Sequence, residues 1–257
     1  MNIRLPWRDR LFAAFIFFTR LPFWRIHQPR KEAYETVVEL WPLTGWLTAG
    51  CMAATLYFGS FIVPTALAAM AAIIVRILIT GALHEDGLAD FIDGFGAGGT
   101  DRKRILDIMK DSHIGTYGVV GLVLYFMLLH QSLTILPPRI TALMILAADP
   151  FFKMMTAQLI QMMPYARTAE TAKGQVVYRK TSIKAGLLLL IQGTLPAIGL
   201  WYFAGLPYLG IAMPALVFYL LYLLMHRRIN GYTGDCCGAV FLLTELTFYL
   251  TYITLNS

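Results

Sequence analysis

Apolar residues run along this chain in blocks far longer than a soluble fold needs. No Lys, Arg, Asp or Glu interrupts the 35 residues from Trp41 to Val75 or the 41 from Ala185 to Met225, and uncharged runs of this length read as membrane spans. A single helix over the longer block would be roughly 62 Å long, about twice the hydrocarbon thickness, so the block must fold back on itself. Gly205, Leu206 and Pro207 supply that turn, and the stretch Gly59 to Pro64 divides the first block in the same way. Further apolar stretches from Ile114 to about Leu136, Ile140 to about Ile160 and Cys237 to about Thr254 bring the expected spans to seven. The Ile140 stretch carries Asp149, Pro150 and Lys153, which suit a broken or re-entrant helix as readily as a crossing. Ahead of all these, Arg4, Arg8 and Arg10 precede a short apolar run, Leu11 to Phe18, followed by Arg20 and Pro22 without a small-x-small cleavage site. That pattern predicts an interfacial or re-entrant element and not a signal sequence. The expected fold is therefore all-α: a polytopic integral membrane helical bundle of about seven transmembrane helices, with an additional N-terminal interfacial or re-entrant element, in one domain over residues 1–257.

Composition agrees. Hydrophobic residues make up 58% of the chain and charged residues 14%, against about 45–50% and 25% in soluble domains. The net charge of +6 suggests nucleic acid in a soluble chain, but here it follows the membrane topology. Of the 21 basic residues, seven precede Trp41, five fall from Arg76 to Lys110, seven from Arg139 to Lys184, and two are Arg227 and Arg228. With a cytoplasmic amino terminus, seven spans put nearly all of them inside, Arg139 being the clear exception. Three cysteines, two of them adjacent, form neither a disulfide framework nor a zinc-ligand set.

The segment from Gly81 to Leu122 holds seven of the fifteen carboxylates. On a helix, Asp86, Asp90 and Asp93 fall at i, i+4 and i+7 and share one face. Three carboxylates so placed repel unless a cation lies among them, and hard oxygen ligands suit Mg²⁺, Mn²⁺ or Ca²⁺, magnesium being the natural reading where the ion also holds substrate phosphate oxygens. His84, a turn or less away, is a candidate base or a hydrogen-bond partner to a carboxylate. Glu85 points about a quarter turn from Asp86. Glycines at 87, 94, 96, 98 and 99 are expected to let backbone amides approach an anion. Arg102, Lys103, Arg104 and Lys110 follow; they suit either anionic headgroups or a diphosphate substrate. His113 is a weaker catalytic candidate.

A second polar segment, His226 to Ala239, contains GYTGD at Gly231–Asp235. Asp235 reads as a helix cap or as a fourth metal or base carboxylate. Between the segments, Arg167 is a phosphate-binding candidate, Asp149 and Lys153 are spaced to pair, and the role of Glu245 is open. An acidic metal cluster, a basic grip and a lipid-embedded body point to transfer of a phosphate-linked group at a membrane surface. Transport is the rival class, although no internal repeat is evident and the acids gather at one membrane face.

Read together, HEDGLADFIDGFGAGG (His84 to Gly99), DRKRILDIMKDSHIGTYGVVGL (Asp101 to Leu122), PYAR (Pro164 to Arg167), GYTGD and the opening FIFFTRLP (Phe15 to Pro22) resemble the cobalamin synthase family, over almost the whole chain and in the family's order. The resemblance implies a Mg²⁺-dependent enzyme of the bacterial cytoplasmic (inner) membrane, multi-pass, with its active site on the cytoplasmic face. Its substrates would be adenosylcobinamide-GDP and α-ribazole or α-ribazole 5′-phosphate, its products adenosylcobalamin or its phosphate and GMP. Membrane lipid is its surroundings, nucleic acid is no partner, and association with a second copy stays open. Carried onto this chain, Asp86, Asp90 and Asp93 match the DGLAD-type motif and Asp235 the GYTGD motif. This gives His84, Asp86, Asp90, Asp93 and Asp235 as catalytic candidates, the four aspartates as metal ligands, and Arg102, Arg104, Lys110 and Arg167 as the substrate grip. Two positions depart from the family pattern: Glu85, where an apolar residue is expected, and Lys153, where an arginine is expected. The CDP-alcohol phosphotransferases are the alternative, but Asp86-Gly87 is not followed by their characteristic Ala-Arg.

Overall fold

Charged residues fall at the breaks between apolar helices, and the computed structural model, which describes residues 5–167, 177–205 and 208–256, shows what those breaks build. In chain order the described helices are α1 (Trp7–Phe18), α2 (Trp41–Gly59), α3 (Thr65–Thr80), α4 (Leu83–Ala97), α5 (Arg102–Lys110) and α6 (Thr116–Ile135). They continue with α7 (Pro138–Ala157), α8 (Leu159–Met162), α9 (Ile183–Ala204), α10 (Leu209–Ile229) and α11 (Gly234–Asn256). Two 3₁₀ stretches, Phe23–Arg25 and Lys31–Leu40, join α1 to α2. The fold is an all-α bundle, and each of the seven expected spans is a helix.

Their fitness to cross a membrane differs. Five stretches are long and apolar enough alone: α6, α7 with α8, α9, α10 and α11. The α3–α4 pair makes up to a sixth as one span bent by 90°. α2 is the expected span that does not pass this test; its 19 residues include Thr44, Gly45, Trp46, Thr48 and Gly50. The Ile140 stretch, expected to be the weakest crossing, is a 25-residue span, Pro138–Met162. Pro150 lies inside it, as membrane helices allow where neighbours satisfy the freed carbonyl. The turn at Leu206 and Pro207 lies outside the described residues.

Burial sorts the helices into core and lipid-facing sets. About 78% of the apolar stretch of α11 and 72% of α7–α8 is buried inside the protein, against 17% for α10 and 22% for α9. α11 packs along α4 and α10, and α7 along α2 and α9. The exposed faces of α6, α9 and α10 carry Val120, Leu124, Leu187, Ile191, Leu216 and Leu220, an apolar surface only lipid can cover without cost.

The N-terminal element is an α-helix packed on the Lys31–Leu40 stretch. Asp9 anchors it by accepting from His27 Nε2 at 2.7 Å, with Arg30 at 3.6 Å. The His27 hydrogen bond, ahead of Arg30, holds the Asp9 carboxyl below its usual range. Arg10 pairs with Glu39 beside it.

Candidate functional site

α3 ends where Gly81 and Ala82 both take positive φ, +65° and +56°. Two successive left-handed residues turn the chain through the 90° that separates α3 from α4. Glycine at 81 takes that left-handed conformation without strain, and the Arg20 side chain packs in the space a Cβ would fill. The bend sets α4 across α11, and a small-residue crossing brings them together. A Cβ on Gly87 would stand 3.0 Å from the Asp235 backbone, and one on Gly238 would stand 3.1 Å from the His84 carbonyl oxygen. Asp86 and Asp235, 149 residues apart in sequence, thereby face one cavity.

A short backbone bridge brings in the third component. Tyr232 N donates to Pro164 O at 3.1 Å and Ala166 N to Tyr232 O at 2.8 Å, tying PYAR to GYTGD. Arg167 then places Nη1 at 3.9 Å from Asp235 Oδ2, while its Nη2 donates to Leu106 O at 3.0 Å. The cavity so formed is about 250 Å³, with His84, Asp86, Tyr165, Arg167, Tyr178 and Asp235 around it and Phe17, Phe18 and Trp41 closing the apolar side. His84 is buried, with its ring stacked parallel to Trp41 at 5.7 Å and Phe241 edge-on at 5.0 Å. Two buried atoms of this lining, His84 Nε2 and Arg167 Nη1, have no hydrogen-bond partner among the described residues, and buried polar atoms left so are costly enough to need a purpose. Burial pushes the Tyr165 phenol up to about 12 and Tyr178 well above its usual value, so both hydroxyls stay protonated donors at neutral pH.

The other expected residues divide. Asp90 is half-buried, one turn along α4 from the exposed Asp86. Asp93 is buried, and its carboxylate accepts from Gly115 N at 2.7 Å and Gly118 N at 2.8 Å. It thus binds the amides that open α6, where a negative charge is favoured. Among the described residues no three His, Cys, Asp or Glu side chains gather into a ready metal cage. The capping hydrogen bonds hold the Asp93 carboxylate toward the start of α6.

The glycines also serve a different end from the anion cradle expected of them. The space beside Gly94, Gly96 and Gly98 is filled by Met109, Tyr117 and Ile105, so these positions pack α4 against α5 and α6. Arg102 is committed to structure: Nε donates to Ile229 O at 2.8 Å and Nη2 to Ala166 O at 3.0 Å. Arg104 and Lys110 are exposed on α5. Asp101 caps α5 by accepting from Lys103 N and Arg104 N. A second cavity of about 440 Å³ opens along α5 and shares Tyr165 and Arg167 with the first. His113 is exposed, its Nδ1 2.7 Å from Asp111 Oδ1. The residues following Arg167, Thr168 to Gly174, lie outside the described residues.

Both departures from the family pattern find partners inside the bundle. Glu85 is buried 3.7 Å from Arg76 Nη2, and Arg76 Nη1 donates to Glu245 Oε2 at 2.7 Å. Tyr125 accepts from Arg76 and Tyr249 donates to Glu245. Lys153 pairs with Asp149 at 2.5 Å, and Thr48 bonds both. Trp41, Phe18 and Tyr178 were not expected at the site; aromatic residues in an apolar helix give no sequence signal that separates a cavity wall from lipid-facing packing.

Residues 10–253 match the family model described as cobalamin-5-phosphate synthase. A protein of Leptospira interrogans named adenosylcobinamide-GDP ribazoletransferase is 34% identical over 252 residues, covering 94% of each chain. Proteins of the same name from Shewanella woodyi, 34% identical over 93% of each chain, and Vibrio parahaemolyticus, 33% identical over 93% of this chain and 90% of its own, are similar throughout as well. No solved structure matches. With the family's motifs meeting at one cavity and its model spanning nearly the whole sequence, the chain belongs to the cobalamin-5-phosphate synthase family.

Proposed function

We propose that this chain catalyses the reaction its relatives are named for, transferring the cobinamide phosphate of adenosylcobinamide-GDP to α-ribazole or α-ribazole 5′-phosphate and releasing GMP. The observation that carries this reading is the convergence of Asp86 of α4, Asp235 of the GYTGD turn and the Arg167 side chain on one cavity. The ribazole hydroxyl forms an O–P bond at the phosphorus bearing cobinamide, and the bridging P–O bond breaks with its electron pair leaving on GMP. The hydroxyl proton passes to His84, whose Nε2 has no hydrogen-bond partner among the described residues, or to an aspartate of the cavity. Arg167 supplies fixed positive charge to the phosphates. No covalent enzyme intermediate is needed.

Magnesium fits this donor set as an ion shared with the substrate. Mg²⁺ is bound through one or two carboxylates together with phosphate oxygens, and Asp86 and Asp235 provide two on one cavity. These two, with Asp90 one turn along, would hold it. When bound, it neutralises charge on the diphosphate. Asp93 acts through the α6 amides, and Arg104 and Lys110 are the outer phosphate contacts. The distribution of basic residues supports a site on the cytoplasmic face of the inner membrane.

The test is a product assay by mass spectrometry with purified protein in liposomes, adenosylcobinamide-GDP and α-ribazole, with Mg²⁺ or with EDTA. Adenosylcobalamin and GMP in equal amounts, lost with EDTA, is the expected outcome. Folded protein that yields neither, while releasing CMP from a CDP-alcohol, rejects the reading.

A further inference from the structure

Two cavities meet at Arg167, and their sizes and charges differ. The acidic one, about 250 Å³, falls below the roughly 300–1,000 Å³ of pockets that enclose a whole small ligand. The other, about 440 Å³, falls within it. Around the larger stand Arg102, Lys103, Lys110 and Arg167 against the single carboxylate of Asp107. Arg102 is spent on two carbonyls and Lys103 is paired with Asp107 at 2.7 Å. Among the described residues Lys110 has no hydrogen-bond or ion-pair partner, and Arg167 Nη1 has no hydrogen bond. The cavity thus offers a phosphate two cations, one at the partition and one at the far end of α5.

We propose that this basic cavity is the seat of the departing nucleoside monophosphate, so that the partition formed by Arg167 and Tyr165 divides the nucleotide from the reacting acids. The inference rests on the transfer reaction proposed above and assigns a place to one of its products. In-line displacement puts nucleophile and leaving group on opposite sides of the phosphorus. The candidate base His84 and the acids Asp86 and Asp235 line the smaller cavity, Lys110 lines the larger, and Arg167 and Tyr165 are shared between them. The bond that breaks leaves its electron pair on the nucleotide phosphate, so negative charge grows on the basic side, where Arg167 and Lys110 are placed to meet it. The ribazole substrate is accepted with or without a phosphate under this reading, whereas the leaving group always carries one.

The same chemistry, a phosphate ester held by cations, is offered by an anionic lipid headgroup, so the experiment separates the two sources. GMP binding is measured by calorimetry on the full-length protein in phosphatidylcholine nanodiscs and in discs containing phosphatidylglycerol. The wild type is compared with Lys110→Ala, Lys110→Arg and the double variant Lys103→Ala/Lys110→Ala. Expected is GMP binding without any cobinamide substrate, weakened roughly tenfold in Lys110→Ala, further in the double variant, and restored by Lys110→Arg. GMP acting as a product inhibitor should lose potency in the same order. Wild-type protein that does not bind GMP, or variants that bind it within twofold of wild type, overturns the proposal. So does phosphatidylglycerol that displaces GMP in wild type while the variants lose lipid retention only; the cavity is then a headgroup site. Turnover without variant effects on GMP sinks this inference alone. GMP binding without turnover of the cobinamide nucleotide sinks the transfer reaction and leaves the cavity a nucleotide site.

Discussion

Charge inside the bundle and charge at the cavity have different surroundings. Inside the bundle, Arg76 is held between Glu85 and Glu245 with two tyrosines beside it, and Lys153 is held by Asp149 and Thr48. At the cavity, Asp86 is exposed, Arg167 reaches Asp235 only at 3.9 Å, and His84 Nε2 has no hydrogen bond among the described residues. Charges in hydrocarbon must find partners within the protein or cost several kcal/mol. The interior networks set each charge against an opposite one, with side chains from α2, α3, α4, α6, α7 and α11, while Arg76 Nε, Glu85 Oε2 and Asp149 Oδ1 make no hydrogen bond among the described residues. The cavity leaves part of that demand for a ligand. Thus neither position in the membrane nor an unbonded atom marks a functional charge by itself; facing an open cavity does.

The sharpest break of this contrast is Arg76→Met. It leaves Glu85 and Glu245 buried without their cation, and removing one partner of a buried pair costs about 3–5 kcal/mol. Thermal unfolding in detergent should show it as a large fall in Tm. The triple variant Arg76→Met/Glu85→Leu/Glu245→Leu should recover most of the loss, because no orphan charge remains. A single variant with wild-type Tm would mean that the network does not hold α3, α4 and α11 together. At the cavity the expectation reverses. Asp86→Asn and Asp235→Asn should each lower turnover by roughly 100–1,000-fold, read as GMP release, with Tm close to wild type. Both variants retaining turnover within tenfold would remove the carboxylates from the reaction.

That reversal explains which features were legible in the sequence. The uncharged runs gave all seven helices because hydrocarbon length is a one-dimensional constraint. The same runs did not reveal that α2 is too polar to pass as a span alone, or that Gly81 and Ala82 turn α4 across the bundle. The acids of α4 announced a site through their spacing, and the spacing was right about the helix. It could not tell that Asp93 is claimed by the amides of Gly115 and Gly118, since a helix face says nothing of what packs on it. The carbonyls that Arg102 reaches were hidden for the same reason: Ile229 and Ala166 lie far along the chain. Glu85, Lys153 and Glu245 had no visible partner until the helices were packed.

Asp93 lies between the two classes, and substituting it sharpens the line. With both oxygens on backbone amides it belongs with the structural charges. Asp93→Asn should cost about 1–2 kcal/mol of stability, the scale of a lost cap, and leave the Mg²⁺ concentration for half-maximal turnover unchanged. An altered Mg²⁺ requirement at unchanged Tm would return Asp93 to the ligand set.

The smallest expected effect lies at the periphery, where a satisfied charge borders the cavity. α1 contributes Phe17 and Phe18 to the cavity wall, and Asp9 fastens that helix to His27 and Arg30. These partners depress the Asp9 carboxyl below its ordinary value of 3.8. A group whose folded pKa is depressed stabilises the fold above the unfolded value, and that contribution is lost as pH falls through the folded one. Between pH 7 and 5 the Asp9 contact should therefore be constant; below about 3.8 it should weaken as the carboxylate takes up a proton. A spin label at Arg8, followed by electron paramagnetic resonance in detergent, should report α1 loosening in that acid range for the wild type. Asp9→Asn should show a looser α1 already at neutral pH and little further change on acidification. A wild-type label as mobile at neutral pH as that of Asp9→Asn would show that α1 is held by its apolar face on the Lys31–Leu40 stretch, and that this charge, unlike those in the bundle, holds nothing.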